Sequence, residues 1–264
     1  TDDGVEFKSP YDGLKLKLNP KISMKIQENL GADIIFAFDE CTSPFHDFDY
    51  TKNSLERTNR WAVECLKYRS KKQALFGIVQ GGEFKELREM SSKFIGKLDF
   101  DGFGIGGSLG KDKKEMGDIV DWSLSGLPYD KPKHMLGIGG VDDLFRCVEK
   151  GLDTFDCVTP TRIARRGYVS ILQESGGNLE NKFRINIDKR MYKTSKKPID
   201  KNCECYTCQN HTLGYLNHLF RLKELTYHRL ASIHNMHYIL KLIKDIRISI
   251  EEGEFLKMKK RWMK

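Results

Sequence analysis

The sequence predicts an α/β protein with a parallel sheet, because two kinds of segment alternate along it. Short apolar runs end in glycine or in a polar side chain, and amphipathic stretches of helical length follow them. Such alternation is typical of βα units, whose strands lie parallel in one sheet. The apolar runs occupy residues 33–40, 73–82, 100–108, 133–140 and 153–162, and the amphipathic stretches occupy residues 52–68, 83–97, 112–124 and 141–151.

The side chains that could carry chemistry collect where these strands end. In a (β/α)8 barrel the active site is built from the carboxyl ends of the strands, so this arrangement favours a TIM barrel. No dinucleotide-binding glycine pattern follows the first strand, which argues against a Rossmann fold. A barrel needs eight strands and about five are recognisable, so about three N-terminal βα units are expected to be missing from this chain. Residues 1–31 predict a hairpin or loop followed by one helix.

The composition is that of a globular protein without a membrane span. Charged residues make up 31% and hydrophobic residues 39% of the 264 residues, and no apolar run is long enough to cross a bilayer. No secretory signal is recognised, so the cysteines are expected to stay reduced in the cytoplasm, and no membrane partner is expected. The net charge of +8 permits a polyanionic partner. Basic clusters lie at residues 162–167, 193–201 and 257–264, although a solvated surface explains any single one.

Three of the seven cysteines form a tight cluster that predicts a structural zinc site. Cys203, Cys205 and Cys208 fall within six residues, and thiolates are good zinc ligands. A fourth ligand is needed for tetrahedral zinc, and a helix predicted over residues 213–250 could return a histidine to the cluster. Spacing alone does not choose among the downstream histidines, which are His211, His218, His228, His234 and His237.

The polar residues at the strand ends suit recognition of a purine. A lone aspartate at a strand end is more often a helix cap, but Asp39 occurs with Gln80 and with the turn at Gly106, Gly107 and Ser108. A carboxylate can accept from N1–H and the 2-amino group of guanine, and Gln80 or the Gly107 N–H can donate to O6. Asp156 is then left as a nucleophile. Arg162 and Arg165 follow the Asp156 strand and would face phosphates.

Taken together, these motifs resemble those of the tRNA-guanine transglycosylases, also called queuine tRNA-ribosyltransferases. The matching segments are GADIIFAFDECT (31–42), LERTNRWA (55–62), ALFGIVQGG (74–82), FDGFGIGGSLG (100–110), GLDTFDCVTPTRIARRG (151–167) and CECYTCQ (203–209). They span nearly the whole chain in the order of the family. The resemblance implies a (β/α)8 barrel with an inserted zinc-binding subdomain, divided here into a partial barrel (1–192), a zinc subdomain (193–240) and a returning C-terminal helix (241–264).

The resemblance also implies a reaction and roles for individual residues. Guanine at the wobble position of tRNA would be exchanged for a 7-deazaguanine, preQ1 or queuine, through a covalent aspartyl-ribosyl intermediate on Asp156. The roles implied for the other residues are base recognition by Asp39, Gln80, Gly106, Gly107 and Ser108, lining of the base pocket by Cys41 and Gly137, anticodon-loop binding by Arg162 and Arg165, and zinc ligation by Cys203, Cys205, Cys208 and His234. A homodimer is implied as well.

The chain also departs from the family pattern. An upstream Asp-Ser-Gly-Gly segment is not found and is expected to lie before Thr1, so the chain alone is expected to be a poor catalyst. Ser108 stands where bacterial members usually carry leucine, whereas Cys41 favours a bacterial-type enzyme that uses an aminomethyl-deazaguanine. Two alternatives stay open: a non-catalytic tRNA-binding partner subunit, and an unrelated zinc-stabilised nucleic-acid binder.

Overall fold

A computed structural model of the chain describes residues 1–107, 109–110 and 113–264, apart from the side chain of Lys113. The described chain divides into two compact units. The first comprises Thr1–Leu136 and Arg146–Asp156, and the second comprises Gly137–Phe145 and Cys157–Lys264. Ser108, for which a role in base recognition is predicted, lies outside the described residues. The domain boundaries drawn from the sequence remain a prediction.

The first unit begins with a hairpin and a capped helix, as the sequence predicts. Strands β1 (Val5–Lys8) and β2 (Lys15–Leu18) pair in antiparallel fashion and lead into helix α1 (Pro20–Leu30). The helix starts where it does because the Asn19 side chain accepts a hydrogen bond from the Ile22 N–H, at 2.9 Å. It ends at Gly31, whose φ of +73° is a left-handed conformation that glycine adopts without steric cost.

A five-stranded parallel sheet forms the centre of the first unit, which confirms the predicted α/β class and its repeated βα units. The strands lie in the order in which they occur along the chain. They are β3 (Ile34–Phe36), β4 (Ala74–Val79), β5 (Gly102–Ile105), β6 (Lys133–Met135) and β7 (Thr154–Phe155). The connecting helices are α2 (Phe48–Tyr68), α3 (Lys85–Ile95), α4 (Lys113–Leu124) and α5 (Val141–Glu149), the last of which crosses the division between the units.

Glycines in β5 let two aromatic rings pack over the sheet. A Cβ on Gly102 would lie 2.4 Å from the Phe76 ring, and one on Gly104 would lie 3.0 Å from the Phe36 ring. The two phenylalanines meet edge to face with their centroids 5.6 Å apart. A side chain at either glycine would therefore displace a ring, which explains why a strand contains residues that usually weaken strands.

The second unit joins a small hairpin to a group of helices. Its buried core includes Val169, Ile171, Ile187, Leu216 and Tyr227. The elements are α6 (Thr159–Arg165), β8 (Tyr168–Ser170), β9 (Arg184–Asn186), α7 (Tyr206–Asn210), α8 (Leu213–Arg221), α9 (Leu225–Glu251) and α10 (Phe255–Trp262), with short 3₁₀ turns at Gln173–Ser175 and Arg190–Tyr192.

The helical stretch predicted over residues 213–250 is interrupted once. Lys223, between α8 and α9, has a φ of +60°. The following N–H, that of Glu224, donates back to the carbonyl of Leu219 at 3.0 Å and closes the first helix. Apolar periodicity continues across this break, so the sequence pattern does not reveal it. No helix in the described part of the chain is long and apolar enough to cross a membrane.

Candidate functional site

The structure brings Asp39 and Gln80 together at the carboxyl ends of adjacent strands β3 and β4. The Gln80 Nε2 atom donates to Asp39 Oδ2 at 2.5 Å. Gln80 is buried, and its backbone N–H donates to the Ser91 hydroxyl at 3.1 Å. Asp39 is half-buried, so it remains accessible to a ligand. The pairing requires both strands to end at the same edge of the sheet, which parallel βα units provide.

The Asp39–Gln80 pair presents hydrogen-bond acceptors that a ligand with N–H donors could satisfy. Burial raises the pKa of Asp39, although the hydrogen bond from Gln80 acts in the opposite direction. The Gln80 Oε1 atom is buried and accepts no hydrogen bond within the described residues. A buried acceptor without a donor is costly, so a ligand N–H that reached it would be bound favourably.

Gly107 and Cys41 lie beside the same pair. Gly107 has a φ of +82°, and a Cβ there would lie 2.3 Å from Gln80 Oε1, so only glycine leaves the amide in place. The Cys41 residue is exposed, yet partial desolvation of its thiol and the nearby Asp39 charge raise the pKa of Cys41. Gly106 is buried at the end of β5. The Asp39 cluster therefore consists of Asp39, Cys41, Gln80, Gly106 and Gly107.

Arg88 supports this cluster and was not among the residues predicted from the sequence. Its guanidinium is fully buried. The Nε atom donates to Gly82 O at 2.8 Å, and Nη1 donates to Gly106 O at 2.8 Å and to Val79 O at 3.2 Å. These bonds tie the chain beyond β4 to the end of β5. Burial lowers the pKa of Arg88 to about 10, so the side chain is still protonated at neutral pH.

A signal for Arg88 was present in the sequence. Helix α3 buries Leu87, Ser91, Ser92 and Ile95, and Arg88 lies on that same face. A charged residue at a core-facing position of an amphipathic helix predicts a buried partner, which in this case is a set of backbone carbonyls.

Asp156 lies just beyond β7, at the opposite edge of the sheet from β3. Its side chain is 58% exposed, so the carboxylate is accessible from solvent. The neighbouring strand supplies His134, whose Nε2 lies 3.2 Å from Asp156 Oδ1. His134 was also missed from the sequence. The sequence did contain an indication of this contact. KHMLGIGG and DTFDCV lie in adjacent parallel strands, and their alignment brings His134 next to Thr154.

Glu40, the second carboxylate after β3, belongs to a different network. It forms an ion pair with Arg57 and accepts a hydrogen bond from Tyr50 Oη at 2.9 Å. Arg57 also contacts Asp2, at 3.0 Å. Glu40 is therefore held by side chains of α2, one of which also binds the N-terminal segment, and it is not counted in the Asp39 cluster.

The second unit contains a candidate metal centre. The Sγ atoms of Cys203, Cys205 and Cys208 and the Nδ1 atom of His234 all lie within 4.8 Å of one another, and all four residues are buried. The three sulfurs are 3.7, 3.5 and 3.4 Å from His234 Nδ1. Ligands on a tetrahedral zinc, with Zn–S bonds of about 2.3 Å and Zn–N bonds of about 2.0 Å, place sulfur and nitrogen about 3.5 Å apart.

The surroundings of His234 also fit a metal ligand. Its Nε2 atom lies 2.8 Å from the Ser170 carbonyl oxygen and 3.8 Å from Asp200 Oδ2. A carbonyl oxygen can only accept, so Nε2 carries the proton and Nδ1 presents its lone pair to the cysteines. The group can therefore hold a metal ion. Of the competing histidines, His211, His218, His228 and His237 lie outside this group.

The remaining predicted residues also belong to the second unit. Arg162 and Arg165 are exposed on α6, whose last turn they occupy. Gly137 has a φ of +75° and is exposed, with open space where a side chain would lie. Anticodon-loop binding by Arg162 and Arg165 and the place of Gly137 in the base pocket remain predictions.

Comparisons with known proteins identify the family to which the chain belongs. The family model described as TGT, queuine tRNA-ribosyltransferase, matches residues 1–264. A relative from Archaeoglobus fulgidus, provisionally named as a queuine tRNA-ribosyltransferase, is 53% identical over 263 residues, which cover 100% of this chain and 65% of that protein. Queuine tRNA-ribosyltransferases from Staphylococcus epidermidis and Staphylococcus haemolyticus are each 45% identical over 262 residues, covering 98% of this chain and 67% of theirs. The chain thus spans about two thirds of the length of these relatives, and it belongs to the queuine tRNA-ribosyltransferase family.

Proposed function

We propose that the protein acts as a tRNA-guanine transglycosylase, which exchanges guanine at the wobble position of tRNA for a 7-deazaguanine. The observation that carries the proposal is the Asp39–Gln80 pair, in which a carboxylate with raised pKa lies beside a buried amide oxygen that has no donor among the described residues. Family membership supplies the chemical context, because the relatives are named queuine tRNA-ribosyltransferases.

The base is recognised by its Watson–Crick edge in this proposal. The N1–H and 2-amino groups of guanine are adjacent donors, and they match the acceptors on Asp39 and Gln80. Gln80 therefore serves here as an acceptor and not as the O6 donor expected from the sequence, because its Nε2 group donates to Asp39. Binding these donors compensates the Asp39 carboxylate for the water it loses on burial. Guanine and a 7-deazaguanine share this edge and differ at position 7, so one site accepts both the leaving and the incoming base. We further propose that Cys41, Gly106, Gly107, Ser108 and Gly137 take part in binding the base.

Asp156 acts as the nucleophile. One of its carboxylate oxygens bonds to C1′ of the guanosine ribose while the bond from C1′ to N9 breaks, and guanine leaves with the electron pair and takes up a proton. The incoming base then loses its N9 proton, bonds to C1′ and displaces the carboxylate. The two displacements retain the configuration at C1′, as in retaining glycosidases. Neither an oxidant nor a nucleotide is consumed, because one glycosidic bond replaces another.

The second unit supplies stability and contacts with tRNA. Cys203, Cys205, Cys208 and His234 would hold one zinc ion, and a closed site of this kind contributes to folding and takes no part in base exchange. Exposed Arg162 and Arg165 would bind phosphates of the anticodon loop, whose bases must be splayed out to be exchanged. We further propose a homodimer and, from Cys41, preference for the aminomethyl-deazaguanine preQ1.

The proposal is tested by trapping the intermediate. The complete protein is incubated with tRNA and radiolabelled guanine, and covalent adducts are separated on a denaturing gel. We expect label incorporation and an adduct with the native protein and neither with Asp156→Asn. Asp118→Asn serves as a matched control, because Asp118 is an exposed aspartate on α4, and this variant should behave like the native protein.

Three results would contradict the proposal in different ways. Incorporation that persists in Asp156→Asn would remove Asp156 as the nucleophile. Binding of tRNA with neither signal in the native protein would identify a non-catalytic partner subunit. Binding of nucleic acid without preference for tRNA would instead favour the unrelated zinc-stabilised binder.

A further inference from the structure

His134 is held in one orientation beside Asp156 by contacts on three sides. Its side chain is 13% exposed, although it lies next to an open site. Nδ1 lies 2.8 Å from Thr154 Oγ1, and Nε2 lies 3.2 Å from Asp156 Oδ1. The Phe36 ring packs against the imidazole at a centroid distance of 5.2 Å, so the ring is confined from the apolar side as well.

The sheet itself creates room for this arrangement. Strand β5, between β4 and β6, carries Gly104, and a Cβ there would lie 3.0 Å from the Phe36 ring. The Phe36 ring therefore passes over β5 at Gly104, where no side chain is in the way, and contacts His134 on β6. Strands β6 and β7 pair with His134 opposite Thr154. Asp156 is two residues beyond Thr154, on the same side of the strand, which is why the imidazole spans from one residue to the other.

The two hydrogen-bond partners, Thr154 and Asp156, determine which ring nitrogen of His134 carries a proton. A deprotonated carboxylate can only accept, so a bond to Asp156 requires the proton on Nε2. The Thr154 hydroxyl can donate to Nδ1 of a neutral imidazole or accept from a charged one, so it is compatible with both forms. In each form the Nε2–H group points at Oδ1.

We propose that His134 is a positioning residue for Asp156 in the base exchange. The inference rests on the proposed function. The Nε2–H group holds Oδ1 and thereby fixes the rotation of the carboxylate relative to C1′. Thr154 orients His134 in turn. A positioned nucleophile forms a near-attack geometry more often, which raises the rate of the chemical step and leaves tRNA binding unchanged.

The test compares His134→Leu with His134→Gln in the complete protein, using tRNA and radiolabelled guanine. Leucine has a similar volume and no donor, whereas the glutamine Nε2 can reach about as far as the imidazole Nε2. We expect His134→Leu to lower kcat and the single-turnover rate of adduct formation about 10- to 100-fold, by analogy with the loss seen when a hydrogen-bond partner that orients a metal ligand is removed. KM for tRNA should stay within about 2-fold, and His134→Gln should recover most of kcat. A lower kcat with an unchanged KM, together with recovery of kcat in His134→Gln, would distinguish a positioning role from a packing role.

Thr154→Val gives a second, independent measurement. Thr154 is exposed, and valine matches its shape, so this variant should fold even if His134→Leu does not. We expect a smaller loss of kcat, about 3- to 10-fold, with unchanged KM, because the imidazole loses only its orienting partner. Native kcat in both His134→Leu and Thr154→Val would overturn the inference, and so would native kcat in Thr154→Val alone if the leucine variant does not fold. If Asp156→Asn were itself fully active, the proposed function would fail first.

Discussion

The Asp39 cluster and the metal centre both place polar side chains in buried surroundings, but they satisfy them in opposite ways. At the metal centre, three sulfurs and one imidazole nitrogen converge on a single point, and the second imidazole nitrogen meets the Ser170 carbonyl. In the Asp39 cluster, the carboxylate is half-buried and the Gln80 Oε1 atom lacks a donor among the described residues. The first arrangement leaves room only for an ion, and the second is open toward a ligand.

This difference suits the metal centre to stabilising the fold and the Asp39 cluster to binding a ligand. A closed tetrahedral group uses its ligands to hold a fold together and leaves no position for a substrate. An open group with a desolvated carboxylate is less stable on its own and gains when a ligand supplies the missing donors. Changes at the metal centre should therefore unfold the second unit, whereas changes in the Asp39 cluster should mainly alter ligand binding.

The largest effect is expected from Cys205→Ser. Structural zinc contributes about 10–16 kcal/mol of apparent binding free energy in small zinc domains, so losing one thiolate should release the metal and unfold the second unit. Metal content by elemental analysis and hydrogen exchange of the α9 amides test this. Cys147→Ser is the control, since Cys147 is equally buried but lies outside the group. Full metal content in Cys205→Ser would exclude the proposed ligand set.

A smaller but still severe effect is expected from Arg88→Met. The change leaves the buried carbonyls of Gly82 and Gly106 without their charged donor, and it should lower the free energy of unfolding of the first unit by about 3 kcal/mol or more. Hydrogen exchange of the β4 and β5 amides reports this loss. Lys93→Met, at an exposed position of the same helix, should change stability by less than about 0.5 kcal/mol. Equal stability of the two variants would show that Arg88 does not tie the strand ends together.

An intermediate effect is expected from Gly107→Ala. Alanine at a φ of +82° costs about 1 kcal/mol, and its Cβ would also displace Gln80 Oε1 from a distance of 2.3 Å. Gly151→Ala provides the matched control, because Gly151 has a φ of +91° with open space around the Cβ position. Both variants should lose similar stability, but only Gly107→Ala should raise KM for the free base. A native KM in that variant would place base recognition away from Gln80.

The smallest effect is expected from Asp39→Asn, and it should be stabilising. Because burial raises the pKa of Asp39, the folded state holds its proton at pH values where the unfolded carboxyl, with an ordinary pKa of 3.8, has lost it. The contribution of Asp39 to stability is therefore complete below the unfolded pKa and is lost as pH rises through the folded value. Asparagine carries no proton that could be lost, so the variant avoids the cost of a buried charge. Its Tm should therefore exceed that of the native protein at pH 7, and the difference between the two Tm values should shrink toward pH 4. A lower Tm at pH 7 would contradict the sign of the effect.

Several features of the fold and site could be predicted because they depend on local pattern. The βα alternation, the strand ends that carry Asp39 and Gln80, and the spacing of Cys203, Cys205 and Cys208 are all properties of short segments. The parallel sheet in the first unit confirms the alternation. Family resemblance contributed His234, which composition and spacing left open among five histidines.

The sequence by itself determined the fold class, the family and the residue types of the candidate site. Only the tertiary structure decided which side chains meet: Arg88 with the carbonyls of Gly82 and Gly106, His134 with Thr154 and Asp156, and His234 with the three cysteines. It also decided that Glu40 pairs with Arg57 and stays apart from Asp39. The physical reason is that periodicity indicates only which face of a helix or strand is buried. The partner of a buried polar group comes from another element, and a local sequence pattern does not indicate the distance or register of that element.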